Sequence, residues 1–199
     1  MDKAGEEIEM RISLVAALAI MGLAALAGCA GRGDRPAAPE PVKTIDAARF
    51  YQGRWYEIAR TPMTLTDGCV AGTTDYYRDD KGRLIEDDSC RAGTPEGEEK
   101  RYRGPVTLLN PEAGTKVSVH YVVWGFFPVW RTYWMLDRGE DYDWFIVSDP
   151  RFENVSLFTR APRPAPDMVE RLRRRTRELG YDPGKLEFPT QFPDGEGER

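Results

Sequence analysis

Eight short strand-like runs, separated by turn residues and followed by one helical segment, restrict this chain more than any other feature of it. The runs are Trp55 to Arg60, Ala71 to Arg78, Leu84 to Cys90, Lys100 to Leu109, Lys116 to Trp124, Arg131 to Asp137, Trp144 to Ser148 and Val155 to Arg160. Turn chemistry divides them: Asp79-Asp80-Lys81-Gly82, Asn110-Pro111-Glu112-Ala113-Gly114, and Asp149-Pro150 before Arg151,. Eight strands at such spacing predict a sandwich or an up-and-down barrel, and sequential hairpins favour a meander. Helical period appears once, with Met168, Val169, Leu172, Thr176 and Leu179 on one face, Pro166 near the start and Gly180 behind the last apolar residue,.

No aromatic residue precedes Phe50, so the folded domain is expected to begin near residue 45. Upstream, Ile12 to Ala27 is apolar except for Ser13, too short to span a bilayer as a helix but suited to a signal-peptide core,. It ends in Leu26-Ala27-Gly28-Cys29, which resembles the lipobox of bacterial lipoproteins, whose Cys thiol receives diacylglycerol. Residues 1–28 are therefore read as a lipoprotein signal peptide and Cys29 as the lipid attachment site. Met1 to Glu9 is acidic where a signal peptide should be positive, and Met10-Arg11 is the better start,. Residues 29–44, rich in Pro and Gly, read as a lipidated Cys and flexible linker,. Residues 190–199 read as a disordered tail. Ala30 follows the Cys, whereas an Asp there favours inner-membrane retention, so the expected location is the outer membrane, lipid-anchored and facing the periplasm.

Several functions are disfavoured by composition. A net charge of -5 argues against nucleic acid, which calls for a concentrated basic surface,. One His excludes two-imidazole metal motifs within the chain,. No Gly-x-Ser-x-Gly elbow, phosphate-cradling loop or dinucleotide fingerprint is present,. The chain reads as a binding protein and not an enzyme, with no metal or cofactor. His120 alternates out of phase with Val117, Val119 and Tyr121 and reads as a wall or surface residue. The acidic run Glu86-Asp87-Asp88 and the residues Glu96 to Glu99 read as solvated rims, as does the face carrying Arg171, Arg173, Arg174, Arg175 and Arg177.

The first strand, Gly53-Arg54-Trp55-Tyr56-Glu57-Ile58-Ala59-Arg60, resembles the Gly-x-Trp signature that opens the first strand of lipocalins. Further agreements follow in order: Gly68-Cys69 and Tyr76-Tyr77, Leu136-Asp137 and Asp141-Tyr142, Phe158-Thr159-Arg160-Ala161-Pro162, and Gly180-Tyr181-Asp182. The chain is thereby identified as resembling bacterial lipocalins of the outer-membrane lipoprotein kind over about residues 45–189. The resemblance implies an all-β fold: an eight-stranded antiparallel up-and-down β-barrel, the lipocalin calyx, with one C-terminal α-helix packed on the outside. It also implies that the Arg160 guanidinium lies across the Trp55 indole, a contact worth roughly 1–2 kcal/mol when desolvated. Gly53 would let the chain pass closely there, making these three residues a structural signature. Parity agrees with a wall covered on both sides, since Val155 and Leu157 share one face and Ser156 and Phe158 the other,.

Cys69 and Cys90 flank the turn near Asp80 almost symmetrically, so cross-strand neighbours can bring their sulfurs together. In an exported protein a disulfide is expected, worth roughly 3 kcal/mol for such a loop. Tyr121, Trp124, Phe126, Phe127, Trp130, Tyr133 and Trp134 crowd one hairpin around Gly125 and Pro128. Their loop is expected at the barrel mouth, for ligand entry, membrane contact or self-packing. Tyr76, Val119, Tyr121, Trp134 and Trp144 are the expected ligand-binding residues. The resemblance implies a small hydrophobic ligand, a fatty acid or lysophospholipid, for lipid transport, storage or envelope maintenance. Two alternatives stay open: a lipid-modifying enzyme using reduced Cys69 or Cys90, and a structural envelope protein docking a partner through its aromatic loop. A homodimer also stays open.

Overall fold

Asp46 caps a single helical turn, α1 (Ala47–Phe50), its Oδ1 accepting from the amides of Ala48 and Arg49 at 3.0 and 3.3 Å,. A computed structural model describes residues 37–123 and 125–193; the apolar segment 12–27, Cys29 and half of the expected linker, Trp124, and residues 194–199 of the expected tail lie outside the described residues. Eight strands follow: β1 (Gly53–Arg60), β2 (Cys69–Arg78), β3 (Leu84–Ala92), β4 (Glu99–Leu108), β5 (Lys116–Val123), β6 (Phe127–Arg138), β7 (Trp144–Ser148) and β8 (Val155–Thr159). Each pairs antiparallel with the next, and β8 returns to β1 with Tyr56 opposite Thr159, closing the barrel. A second helix, α2 (Pro166–Glu178), lies after the last strand.

The observed strands exceed the apolar runs most in β6, which begins at Phe127 and not at Arg131. Ladder bonds need only backbone, so pairing continues where side chains stop alternating cleanly. The register shifts in three places: between Glu57 and Ala59, between Val70 and Thr73, and between Met135 and Asp137. Ala71, inside the second of these, adopts φ 49°, the left-handed geometry of a bulged residue,. Cys69 consequently faces Ala92 in the ladder, and its disulfide reaches Cys90 diagonally across a Cα–Cα distance of 5.5 Å.

Strand direction gives the barrel two different ends. The turns at 79–83, 109–115 and 139–143 lie at the end where β1 begins; the loops at 61–68, 93–98, 125–126 and 149–154 lie at the other. Apolar residues form two layers separated by the wall. Inside, Phe50, Trp55, Tyr76, Val119, Tyr121, Met135, Phe145 and Phe158 pack together. Outside, Ala59, Leu136, Trp144, Ile146, Val155 and Leu157 pack beneath Leu172 of α2. The parity expected for β8 is observed, with Phe158 inside and Val155 and Leu157 under the helix.

Both ends of the domain are more ordered than the sequence implied. Within the expected linker 29–44, Ala38 is buried and its amide donates to the Pro150 carbonyl at 3.0 Å. Val42 and Ile45 then donate to the carbonyls of Leu136 and Ala113, so the segment descends the outside of the barrel. In the expected tail, the Ala71 amide donates to the Thr190 carbonyl at 2.7 Å and Gln191 Nε2 donates to the Glu57 carbonyl. Proline and small-residue composition argued for a tether, but backbone groups pair regardless of side-chain polarity.

The helix basic residues divide as well. Arg175 Nε donates to the buried Asp137 at 2.6 Å and its Nη1 reaches Glu178, whereas Arg171, Arg174 and Arg177 are exposed. Leu172 is fully buried between α2 and the wall. Leu172→Ala is expected to lower the unfolding free energy by about 2–4 kcal/mol, read from urea denaturation, while the disulfide and the inner core stay intact.

Candidate functional site: the barrel cavity

At the end where β1 begins, the interior is filled. The Trp55 ring sits 5.2 Å from Phe50 and 4.7 Å from Phe145, and its Nε1 donates to the Phe50 carbonyl at 3.3 Å. The Arg160 guanidinium lies 3.5 Å from the Trp55 ring centroid and donates to the carbonyls of Gln52, Arg54 and Phe50. Burial lowers the Arg160 pKa to about 10, so the group stays protonated at neutral pH. Gly53 stands at φ 63°, and a Cβ there would lie 3.6 Å from Arg160 Nη1, an ordinary contact. Its requirement is the left-handed backbone and not the close passage expected from the sequence.

Above this plug lies a cavity of about 440 Å³. Phe145, Met135, Val147, Phe158 and Tyr76 give it an apolar inner surface, and Met63, Leu65, Lys100, Arg131 and Arg151 stand toward the loops at the open end. The disulfide half-residues Cys69 and Cys90 also face it. Arg60, 2% exposed, holds that end together: its Nη1 donates to Glu57 at 2.7 Å, its Nη2 to the Cys69 carbonyl at 2.7 Å, and its Nε pairs with Glu187 at 2.8 Å.

The five expected ligand-binding residues separate into three groups. Tyr76 lines the cavity. Val119 and Tyr121 point inward but belong to the packed inner core and not to the cavity wall. Trp134 and Trp144 are corrected to the outer layer, Trp144 buried beneath α2 and Trp134 under Lys116 Nζ at 3.7 Å from its ring centroid. Their neighbours Tyr133 and Phe145 occupy the inner positions. Because α2 makes the outer face of β6 and β7 apolar too, hydrophobicity does not reveal which parity faces inward. His120 is on the outer face as expected, stacked on Trp130 at 4.5 Å.

A second correction concerns Glu86-Asp87-Asp88, expected as a solvated rim. Glu86 and Asp87 are 2% exposed. Asp87 faces outward and receives Arg101 Nε at 2.6 Å and Nη2 at 2.8 Å. Glu86 and Asp88 face the cavity. Tyr76 donates to Glu86, Thr74 donates to Asp88 at 2.6 Å, and the Tyr121 hydroxyl lies against Glu86 and within 2.8 Å of Asp88. A hydroxyl carries one proton, so Tyr121 donates to one carboxylate only and a proton on the other completes the network. Burial pushes both acids above the usual carboxylate range, and the Glu86 charge pushes Asp88 further,. Three consecutive acids have no polarity period, which hid the alternation; the usable signal was the hairpin register placing Glu86 opposite Tyr76.

A closed calyx plugged at one end and hollow toward the other defines the class of barrels that enclose one small ligand. The chain belongs to the lipocalin family, its residues 45–191 matching the family model described as a lipocalin-like domain. It is 28% identical over 173 residues to the outer membrane lipoprotein Blc of Vibrio cholerae, covering 83% of this chain and 92% of that one. It is 26% identical to temperature-induced lipocalin-1 of Arabidopsis thaliana, covering 74% and 80% of the two chains. Among solved structures, insecticyanin from the tobacco hornworm Manduca sexta aligns with a TM-score of 0.60 at 17% identity, over 78% of this chain and 85% of that one. The tryptamine complex of the amine-binding protein of Rhodnius prolixus aligns at 0.58 with 14% identity, over 80% and 92%.

The acid pair has a consequence for stability. Raised folded pKa values contribute stability that is present in full below the unfolded values, roughly 4, and is lost as pH rises through the folded values. Asp79 and Glu140 are lowered instead, by Arg83 and Lys43, and their contributions are complete at pH above the ordinary carboxylate range. From pH 5 to 8 the urea midpoint of the native protein is therefore expected to fall, and Asp88→Asn to flatten the decline. A wild-type midpoint constant over this window, or an unchanged slope in the variant, would show that burial does not hold a proton on the pair.

Proposed function

We propose that this lipocalin binds a small amphipathic lipid, a fatty acid or lysophospholipid, with its acyl portion in the barrel and its polar group at the open end. The observation that carries the reading is the order of residues along the cavity: Met135, Phe145, Val147 and Phe158 within, Lys100 and Arg131 toward the mouth. Burying acyl chain is worth roughly 0.8 kcal/mol per methylene, and a carboxylate or phosphate at the mouth meets cations while remaining hydrated. The likeness to a Vibrio outer membrane lipoprotein supports the rest of the proposal: signal peptide removal before Cys29, diacylglycerol on its thiol, and attachment to the outer membrane facing the periplasm. Two or three acyl chains anchor stably where one is marginal. The role is lipid transport, storage or envelope maintenance by binding; the disulfide takes up the thiols of Cys69 and Cys90 that the enzyme alternative would have used.

A second reading is favoured by Glu86 and Asp88. Inside an apolar cavity, two carboxyl groups converging on the Tyr121 hydroxyl offer a site in which a protonated amine could take the place of a proton. The structure from Rhodnius prolixus is a tryptamine complex, and its likeness here supports the fold while the acid pair supports the ligand. Native mass spectrometry of the form beginning at Arg35, followed by titration with a fluorescent fatty acid and with tryptamine, separates the two readings. A co-purifying lipid displaced stoichiometrically by the probe is the expected result, with Arg131→Ala weakening the fatty acid by roughly two- to fivefold. Tryptamine binding that disappears in Asp88→Asn, with no fatty-acid binding, would replace the first reading by the second. An empty protein that takes neither probe would remove both.

A further inference from the structure

The exposed apolar side chains are not scattered. Val122, Phe126, Phe127 and Trp130, the last 63% exposed and Phe126 77%, gather on the hairpin joining β5 and β6 at the open end. Gly125 turns the chain there at φ 78°. Leu65, about half exposed, stands at the same end in the loop between β1 and β2. A soluble domain rarely shows an exposed aromatic tip of this kind without a partner, and aromatic side chains settle well at a bilayer interface.

The path of the N-terminal segment identifies the partner. The Ala38 amide donates to the Pro150 carbonyl, and Pro150 lies in the loop between β7 and β8, at the open end and beside the cavity. That loop neighbours the β5–β6 hairpin across β6 and β7. Eight residue steps separate Ala37 from Cys29, a reach of at most about 29 Å when fully extended. Cys29 is thus tethered within that reach of the open-end rim, from the side of the β7–β8 loop and the neighbouring hairpin. Arg131, on β6 behind the hairpin, adds a cation facing the cavity mouth. The loop between β3 and β4, carrying Glu96 and Glu98 with Glu99 just beyond it, is repelled by anionic headgroups and keeps its part of the rim in water,.

We infer that the β5–β6 hairpin inserts into the lipid surface to which Cys29 is anchored, tilting the open end of the barrel against the bilayer so that ligand passes between cavity and membrane without crossing water. The inference rests on the proposed anchoring at Cys29. With Cys29 acylated and Cys69 joined to Cys90, no other thiol remains in the chain, and a spin label can be placed uniquely. Label Val122→Cys near the tip and, separately, Asp80→Cys in the turn at the opposite end, and incorporate each lipidated protein into vesicles of phosphatidylethanolamine and phosphatidylglycerol.

The expected result is that the label at position 122 is more accessible to oxygen than to a water-soluble nickel chelate, while the label at 80 shows the reverse. Adding Phe126→Glu returns position 122 to the aqueous pattern without releasing the protein from vesicles. Aqueous accessibility at both positions overturns the inference and leaves the hairpin to a protein partner. Mass spectrometry of the same preparation separates this failure from failure of the anchor: an unmodified Cys29 refutes the anchoring, whereas an acylated Cys29 with a water-exposed hairpin refutes only the insertion.

Discussion

Closing an eight-stranded sheet requires its last strand to be held against its first, and here one guanidinium does so from the side. Arg160 follows β8 directly, and its donors go to the carbonyls of Phe50, Gln52 and Arg54, the residues that lead into and begin β1. The same group covers the Trp55 ring. Backbone pairing between β1 and β8 ends at Tyr56 and Thr159, and the Arg160 donors continue the attachment toward the start of β1. Closure removes the free sheet edges on which strand proteins aggregate. The plug beneath then sets the depth of the cavity, since Phe50, Trp55 and Phe145 fill the interior from wall to wall.

At the opposite end, Arg60 performs the corresponding task with different chemistry. It is almost wholly buried, paired with Glu57 and Glu187, and bonded to the carbonyls of Thr66 and Cys69. Glu57 nevertheless has its pKa raised, because burial outweighs the attraction of Arg60. A buried pair of this kind adds little net stability but fixes geometry, since losing either partner leaves a desolvated charge. What it fixes is the β1–β2 loop, part of the rim, and the C-terminal segment carrying Glu187. The mouth is held open by ionic contacts, and the floor is held shut by aromatic packing.

How much of this was legible in the sequence depended on which kind of information each residue carries. The strands and the helix were readable because alternation, turn chemistry and a Gly at the helix end are local signals. Trp55 and Arg160 were readable through their motifs. The side of the wall on which Trp134 and Trp144 fall was not, because α2 covers that face and makes both parities apolar. Glu86 and Asp88 were hidden by Asp87, whose partner Arg101 lies on the next strand and becomes visible only when the register is known. The ordering of Ala38 and Gln191 was unreadable for another reason: it arises from backbone donors and acceptors that every residue type carries.

The polarity of the interior and the route of the N-terminal segment bear on one another. An interior with Lys100 and Arg131 at its mouth and the buried acids Glu86 and Asp88 deeper inside suits, on the proposed reading, an amphipathic molecule in a defined orientation. Such a molecule is scarce in water and plentiful in a bilayer. A barrel free to tumble would have to wait for monomers to leave the membrane, a step that costs roughly 0.8 kcal/mol for every methylene exposed. On the proposed anchoring at Cys29, a tether beside the aromatic hairpin would shorten the transfer to a distance at which those methylenes need never be hydrated. On that reading the position of Ala38 against Pro150 would serve binding as Phe145 and Met135 do, by fixing where the chain leaves the barrel and not by lining the cavity.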